Sequence, residues 1–267
     1  MPPIFPRMPA KPKLADLGPR AYIHRMNWTD EAIVLAVRAH GETSAIVEVL
    51  TREHGRHLGL VHGGRSRRLR PVLQTANHVD VTWKSRLADQ LGHFQIEMRR
   101  GFAAEAMATA DAARLAALSS LTTLARLLPE RDPHPALFEV TLFVLGFLDD
   151  ASVWPALMVR WELALLDELG FGLDLNQCAA TGANDQLIYV SPRTGRAVSA
   201  SAGEPYKDRL LALPGFLAGR ISGGATREDL LAGFRLTSHF LELHALPPSA
   251  GALPEVRSRM IDLVTRA

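Results

Sequence analysis

Residues 61 to 73, VHGGRSRRLRPVL, contain a dense group of side chains that could bind phosphate. Two glycines are followed within six residues by four arginines, Arg65, Arg67, Arg68 and Arg70. Glycine lets backbone amides approach a ligand closely, and the planar guanidinium group matches two phosphate oxygens at once. The segment is therefore a candidate binding site for a polyanion. A solvated surface loop is the alternative.

Basic residues also flank two neighbouring turns. Arg52 and Arg56 lie around the turn before this segment, and Lys84 and Arg86 follow a strand pattern after it. If the strands form a small barrel, we expect these connections to supply one basic surface. Because the chain has only four lysines beside 26 arginines, the clustering of arginine carries more weight than its abundance.

Other residue patterns that could do chemistry are weaker. His54, His57 and His62 suggest a metal site, but no acidic or thiol partner follows at a useful spacing, so we interpret them as solvated turn and strand histidines. Asp149 and Asp150 end a helical stripe and are predicted to be exposed charges. The sequence has no Gly-Lys dipeptide for a Walker loop, no G-x-S-x-G and no H-E-x-x-H. We predict no catalysis, no cofactor and no metal.

The composition is that of a soluble protein, with 47% hydrophobic and 22% charged residues. One cysteine, Cys178, excludes an internal disulfide and fits a reducing cytosol. No apolar run reaches the roughly 18 to 20 residues that span a bilayer. Residues 1–25 contain six prolines, five Lys or Arg and one Asp, which predicts a disordered basic tail before a domain that could begin at Met26.

The charge is unevenly distributed along the chain. Residues 26–100 carry eleven basic and eight acidic side chains, whereas residues 101–267 carry fourteen and nineteen. The basic first part points to an anionic ligand there.

Hydrophobic periodicity divides the chain into two kinds of structure. Residues 31–99 alternate with period two over five candidate strands, which favours an OB-fold or an SH3-like barrel. From about residue 103 the period becomes helical, with stripes that end before Pro129 and at Gly170. Residues 171–205 break this period around a strand-like 187–190, and helices return near 227–244 and 255–266.

Several segments, in this order, resemble the RecO family of bacterial recombinational-repair proteins. They are WTDEAIVL (28–35), GETSAIV (41–47), LTREHG (50–55), HGGRSRRLR (62–70), VTWK (81–84), LLDELGFGLDL (165–175) and YVSPRTG (189–195). The resemblance covers roughly residues 26–245. It implies an N-terminal OB-fold, a helical domain and a small knob that holds zinc in some members.

The resemblance also implies a function without catalysis. Family members bind single- and double-stranded DNA, anneal strands and help load RecA, with RecR and the single-stranded-DNA-binding protein (SSB) as partners. We therefore expect a cytoplasmic, nucleoid-associated protein that does not bind a membrane. The expected DNA-binding residues are Arg65, Arg67, Arg68, Arg70, Arg52, Arg56, Lys84 and Arg86. A site for the acidic, apolar SSB tail is expected in the helical half, with Arg126, Arg131 and Arg160 as candidates by position.

The knob departs from the zinc-binding members. Those bind zinc through two C-x-x-C pairs, but here Cys178 has Thr181 at the plus-three position, and 198–202 contain no thiol. One thiolate cannot complete a tetrahedral zinc site, so we predict a metal-free knob. The expected division is a tail (1–25), an OB-fold (26–102), a helical domain (103–170), a knob (171–205) and a C-terminal helical part (206–267).

Two other functions remain open from the sequence. The barrel could be the docking module of a protein–protein adaptor whose arginines only aid solubility. An RNA-binding OB protein in translation would share the barrel, but that function gives no reason for the helical half.

Overall fold

The computed structural model describes residues 26–87, 90–219, 224–246 and 251–266. The predicted tail, residues 1–25, lies outside the described residues. The chain begins with a closed five-stranded barrel in the order β1-β2-β3-β5-β4, which confirms the predicted OB-type arrangement. Its strands are β1 (Met26–His40), β2 (Ser44–Thr51), β3 (Arg56–Val61), β4 (His78–Ser85) and β5 (His93–Arg100).

The barrel is built from alternating side chains, as the period-two pattern predicts. Every second residue of β3 and β4 is buried, so one face of each strand fills the interior. β1 is longer than its apolar run indicated, because it pairs with two neighbouring strands. Its first half pairs with β4 (Trp28 opposite Trp83), and its second half pairs with β2 (Val37 opposite Val47). β3 and β5 close the barrel in parallel, with Leu60 opposite His93.

The arginine-rich segment between β3 and β4 is more ordered than the loop expected from its sequence. Successive turns carry helix-like bonds, from Arg70 N to Ser66 O (3.0 Å) and from Leu73 N to Leu69 O (2.9 Å). Leu69 and Leu73, four residues apart, are buried in the barrel core. The segment therefore covers one end of the barrel, and we call residues 62–77 the cap.

The helical half begins directly after β5. Its first four helices are α1 (Phe102–Thr109), α2 (Ala112–Ala125), α3 (Pro135–Gly146) and α4 (Trp154–Glu168). Asp111 caps α2 by accepting from Ala113 N and Arg114 N, and α3 and α4 each have proline in the first turn, where no amide partner is lost. The predicted stripe of α4 is fully buried at Met158, Trp161 and Leu165. Burial of such side chains contributes about 1.5–3 kcal/mol each.

The knob contains a three-stranded sheet in the order β7-β6-β8. β6 (Leu187–Val190) is the strand expected from the sequence, β7 is Ala197–Ser199 and β8 is Leu211–Ala212. Between β7 and β8 lie α5 (Ala200–Gly203) and a 3-10 helix (Glu204–Arg209). The third strand thus follows residue 205. Because buried knob side chains join the helical core, the knob and helices share one interior.

Two helices complete the chain. α6 (Arg227–Phe240) starts with a capping box between Thr226 and Asp229 and runs into a π-helical turn (Leu241–Ala245), and α7 is Glu255–Arg266. None of the helices in the described part of the chain is long and apolar enough to cross a membrane.

Candidate nucleic-acid interface

The cap exposes its arginines because its leucines face inward. Arg65, Arg67, Arg68 and Arg70 are all exposed, while Leu69 among them is buried. Gly64 packs so closely on β2 that a Cβ there would lie 2.8 Å from the Cβ of Ala45. The cap is thus fixed against the barrel, and its cationic side chains point to solvent from a rigid base.

Arg65 has a structural contact that its three neighbours lack. Its Nη1 donates to the backbone oxygens of Gly41 (3.0 Å) and Glu42 (2.9 Å), which ties the cap to the β1–β2 turn. The side chains of Arg67, Arg68 and Arg70 make no hydrogen bond, ion pair or ring contact with any described residue. These three guanidinium groups remain available to an external anion.

Two grooves extend from the cap along the closing strands of the barrel. The first has a volume of about 770 Å³ and is lined by Arg68, Thr82 and Glu97 among others. The second, also about 770 Å³, is lined by Lys84, Arg86 and Gly92 among others. His62 and His93 line both grooves, and their ring centroids lie 6.0 Å apart. The expected residues Lys84 and Arg86 therefore lie at the far end of a path that begins at the cap.

The structure does not bring Arg52 and Arg56 to this surface, so the expectation of one surface from three connections is wrong for that turn. The turn lies at the start of β3 and the cap at its end. Arg52 pairs with Glu31 (3.0 Å) and Glu139. Both carboxylates attract its guanidinium group, which therefore joins β1 to α3.

Arg56 likewise joins the barrel to the helical half. It donates from Nη1 to Glu48 and from Nε to the backbone oxygen of Leu128 (2.8 Å). Its carboxylate partner in β2, Glu48, explains why a basic residue in this turn need not bind a ligand.

The candidate partner-binding arginines are also engaged within the protein. Arg126 Nε donates to Glu48 Oε2 (2.9 Å), and Arg160 Nη2 donates to the backbone oxygen of Phe216 (2.5 Å). Arg131 has a positive φ of 61°, and its backbone N–H donates to Arg56 O (2.8 Å). The structure does not bring these three side chains together into one pocket.

The three histidines considered for a metal lie in different environments. His54 stacks on Trp28 with ring centroids 4.0 Å apart, and its Nδ1 lies 2.8 Å from Asp30 Oδ2. His57 is buried among aromatic rings, so the expectation of a solvated histidine is wrong for this residue, and His62 is exposed in the grooves. In the described part of the chain, no group of three or more histidine, cysteine, aspartate or glutamate side chains could hold a metal ion.

Asp150 holds the turn before α4. Its Oδ1 accepts from Ser152 Oγ (2.6 Å) and Ser152 N (3.0 Å), and these hydrogen bonds lower the pKa of its carboxyl. Asp149 is exposed, as expected from the sequence. The pair therefore shows no arrangement for acid–base chemistry.

Cys178 is buried beside Ser199 in the knob. Burial acts to raise the pKa of the thiol, but hydrogen bonds from Ser199, Thr181 and the Ala180 backbone outweigh it and lower the pKa to about 6. The Ser199 N–H donates to Sγ at 3.3 Å. The sulfur is thus held by local hydrogen bonds rather than by a second thiol.

The position of His93 at the junction of the two grooves was missed from the sequence. It enters the interface because β3 and β5 run parallel, which places His93 opposite Leu60 and close to His62. The two histidines are 31 positions apart, and no local pattern links them. Only the glycine before His93, with a φ of +62°, marks a tight turn at that point.

The chain is similar to known proteins over most of its length. Residues 26–102 match the family described as Recombination protein O N terminal, and residues 109–250 match Recombination protein O C terminal. A DNA repair protein RecO from Rhodospirillum centenum is 55% identical over 245 residues, covering 91% of this chain and 96% of the relative. One from Methylorubrum populi is 53% identical over 245 residues, covering 90% and 99%. One from Agrobacterium fabrum is 53% identical over 223 residues, covering 84% and 87%.

Proposed function

The chain belongs to the RecO family of DNA repair proteins, and on that premise we propose that its barrel binds single- and double-stranded DNA through the cap. The observation that carries this proposal is the exposure of the guanidinium groups of Arg67, Arg68 and Arg70, which have no partner among the described residues. An unpaired guanidinium group on a fixed base can bind phosphate without first breaking an internal ion pair.

The binding is directed at the DNA backbone. The aromatic residues Trp83 and Phe94 are buried in the barrel core, so they cannot stack on bases. The cap instead offers cations, which position DNA without reading its sequence. A cationic surface that tolerates any sequence also lowers the repulsion between two strands, which supports a role in annealing.

The remaining parts of the proposal rest on the family resemblance. The protein would anneal complementary strands and, with RecR, assist RecA loading on SSB-coated DNA, without a catalytic step of its own. A site for the SSB tail would lie in the helical half. Because Arg126, Arg131 and Arg160 already hold internal contacts, a tail peptide would have to compete for them or bind elsewhere.

The test is a salt titration of DNA binding. Each phosphate neutralised should add about −0.7 to the slope of log affinity against log salt on single strands and about −0.9 on duplex. Changing Arg65, Arg67, Arg68 and Arg70 to alanine should weaken binding at low salt and flatten the slope by about two to four units. The loss should be equal for different sequences.

Two controls separate DNA contact from other effects. A variant with alanine at Arg193, Arg227, Arg235 and Arg259, which are exposed in the helical half, removes the same charge and should keep the slope. A triple variant that retains Arg65 preserves its bonds to the β1–β2 turn. If the folded quadruple variant keeps the wild-type slope, the cap does not bind DNA, and the adaptor function becomes the better explanation.

A further inference from the structure

We propose that His62 and His93 are phosphate-binding residues at the junction of the two grooves, so that DNA binding is coupled to proton uptake. The bound strand would run from Arg68, past the two histidines, to Lys84 and Arg86. This inference rests on the proposed function, because it extends the DNA path beyond the cap.

The positions of the two rings support a shared ligand. Both residues are exposed, and both line both grooves. Their centroids are 6.0 Å apart and their planes are inclined by 52°. Hydrogen bonds of about 2.7–3.2 Å therefore allow one phosphate between the rings to accept from both. Neither ring makes a hydrogen bond with another described residue.

The charges around the pair favour an anion that follows the grooves. Arg68 of the cap lies on one side, and Lys84 of β4 and Arg86 of the following turn lie on the other. Two carboxylates face the first groove, Asp80 of β4 and Glu97 of β5.

The first of these carboxylates is already paired. Asp80 Oδ1 accepts from Arg99 Nε at 2.7 Å, which offsets its charge. Glu97 lies four residues along β5 from His93, so it would repel a strand that continued along β5. A strand directed from the histidines to Lys84 and Arg86 avoids this carboxylate.

Protonation follows from the proximity of phosphate. Imidazole changes its charge between about pH 5 and pH 8, and an opposite charge within about 4–6 Å favours its protonated form. Each imidazole that becomes protonated on binding should add a phosphate contact. DNA affinity should therefore rise as the pH falls, and the salt slope should steepen by about 0.7 for each contact on single-stranded DNA.

The experiment measures binding of a rhodamine-labelled thymidine oligonucleotide by fluorescence anisotropy at pH 6.0 and pH 8.0, over a series of salt concentrations. The wild-type chain should gain about tenfold in affinity at pH 6.0, because a protonated imidazole attracts the phosphate more strongly than a neutral one. The variant with both His62→Gln and His93→Gln should lose this gain but still bind at pH 8.0 through the cap. His244→Gln, an exposed histidine in the helical half, should behave as wild type.

The outcomes distinguish this inference from the function on which it rests. If wild type and the double variant show the same pH dependence, or if wild type shows none, the histidine contact is overturned while cap binding stands. If wild type shows no salt-dependent binding at either pH, the proposed function itself fails. Circular dichroism at both pH values and the two single variants check that a loss of binding is not a loss of fold.

Discussion

Arg257 and Glu162 form a buried, two-point ion pair between α7 and α4. Arg257 donates from Nε to Glu162 Oε1 (2.7 Å) and from Nη2 to Oε2 (2.8 Å), and its Nη1 donates to Ser238 Oγ (2.7 Å) in α6. Glu162 is fully buried and Arg257 is 2% exposed. Three helices therefore meet at one guanidinium group, which fixes the last helix of the described chain.

Removal of one partner of this pair should be strongly destabilising. Glu162→Ala leaves a buried guanidinium without its carboxylate, and we expect a loss of about 3–5 kcal/mol in the free energy of unfolding. The double variant Glu162→Leu with Arg257→Met should lose less than Glu162→Ala, since no charge remains buried. Urea unfolding of all three proteins checks this order, and a double variant less stable than Glu162→Ala would contradict it.

Gly55 should tolerate a side chain far less well than Gly63. Both have positive φ, 66° and 65°, so alanine strains either backbone by about 1–2 kcal/mol. A Cβ at Gly55 would also overlap the backbone of Asp132, whereas one at Gly63 meets nothing within 4 Å. Thermal unfolding should show a clearly larger loss for Gly55→Ala. Equal losses of stability in the two variants would contradict this prediction, because they would mean that the barrel and the segment after α2 can move apart at this contact without destabilising the fold.

Acid should destabilise the barrel through His57. Burial, with smaller effects from Arg131 and His54, lowers the pKa of His57 from 6.5 to about 4. Between these two pKa values the imidazole of His57 is protonated in the unfolded chain but neutral in the folded chain. The free energy of unfolding is therefore highest above about pH 6.5, and it falls by up to about 3 kcal/mol as the pH drops to about 4.

His57→Phe is expected to reduce this pH dependence. The aromatic ring fits among Trp28, Trp83 and Phe94, and it removes two buried nitrogens that have no partner among the described residues. Urea unfolding at pH 7.5 and pH 5 measures the change, with the exposed His40→Gln as control. Part of the dependence should remain, because burial also lowers the pKa of His78. A pH dependence unchanged in His57→Phe would refute the assignment.

The purified protein should hold no stoichiometric zinc and should keep its melting temperature in EDTA. A single thiol at Cys178 cannot form a structural zinc site, and its hydrogen bonds to Ser199 already hold the knob at that point. Cys178→Ser should therefore change stability by the same amount with and without EDTA. Elemental analysis that finds one tightly bound zinc per chain would contradict this prediction.

The local sequence pattern predicted the individual strands and helices better than it predicted which of them pair or pack together. Alternation in Val79, Val81 and Trp83 specified β4, and the helical spacing of Met158, Trp161 and Leu165 specified α4, because burial on one face repeats with the period of the element. The barrel closure between Leu60 and His93 depends on long-range pairing, which no window of sequence contains.

The same limit applied to the basic residues. The four cap arginines could be identified as a cationic cluster from their spacing after two glycines, but Arg52 gave no local sign of its carboxylate partners. Glu139, one of those partners, lies 87 positions away on α3. The sequence therefore indicated which residues were cationic. The fold determines which of them form ion pairs within the protein and which remain available to a ligand.

The parallel closure of the barrel makes one seam weaker than the others. Among the described residues, β3 and β5 share a single residue pair, whereas each antiparallel ladder of the barrel joins six or more. Amide hydrogens along this seam should exchange with solvent sooner than those of β1 and β2, because fewer bonds must open together. DNA bound across His62 and His93 would contact both sides of the seam and slow this exchange, so the nucleic acid would act as a clasp on the barrel that binds it.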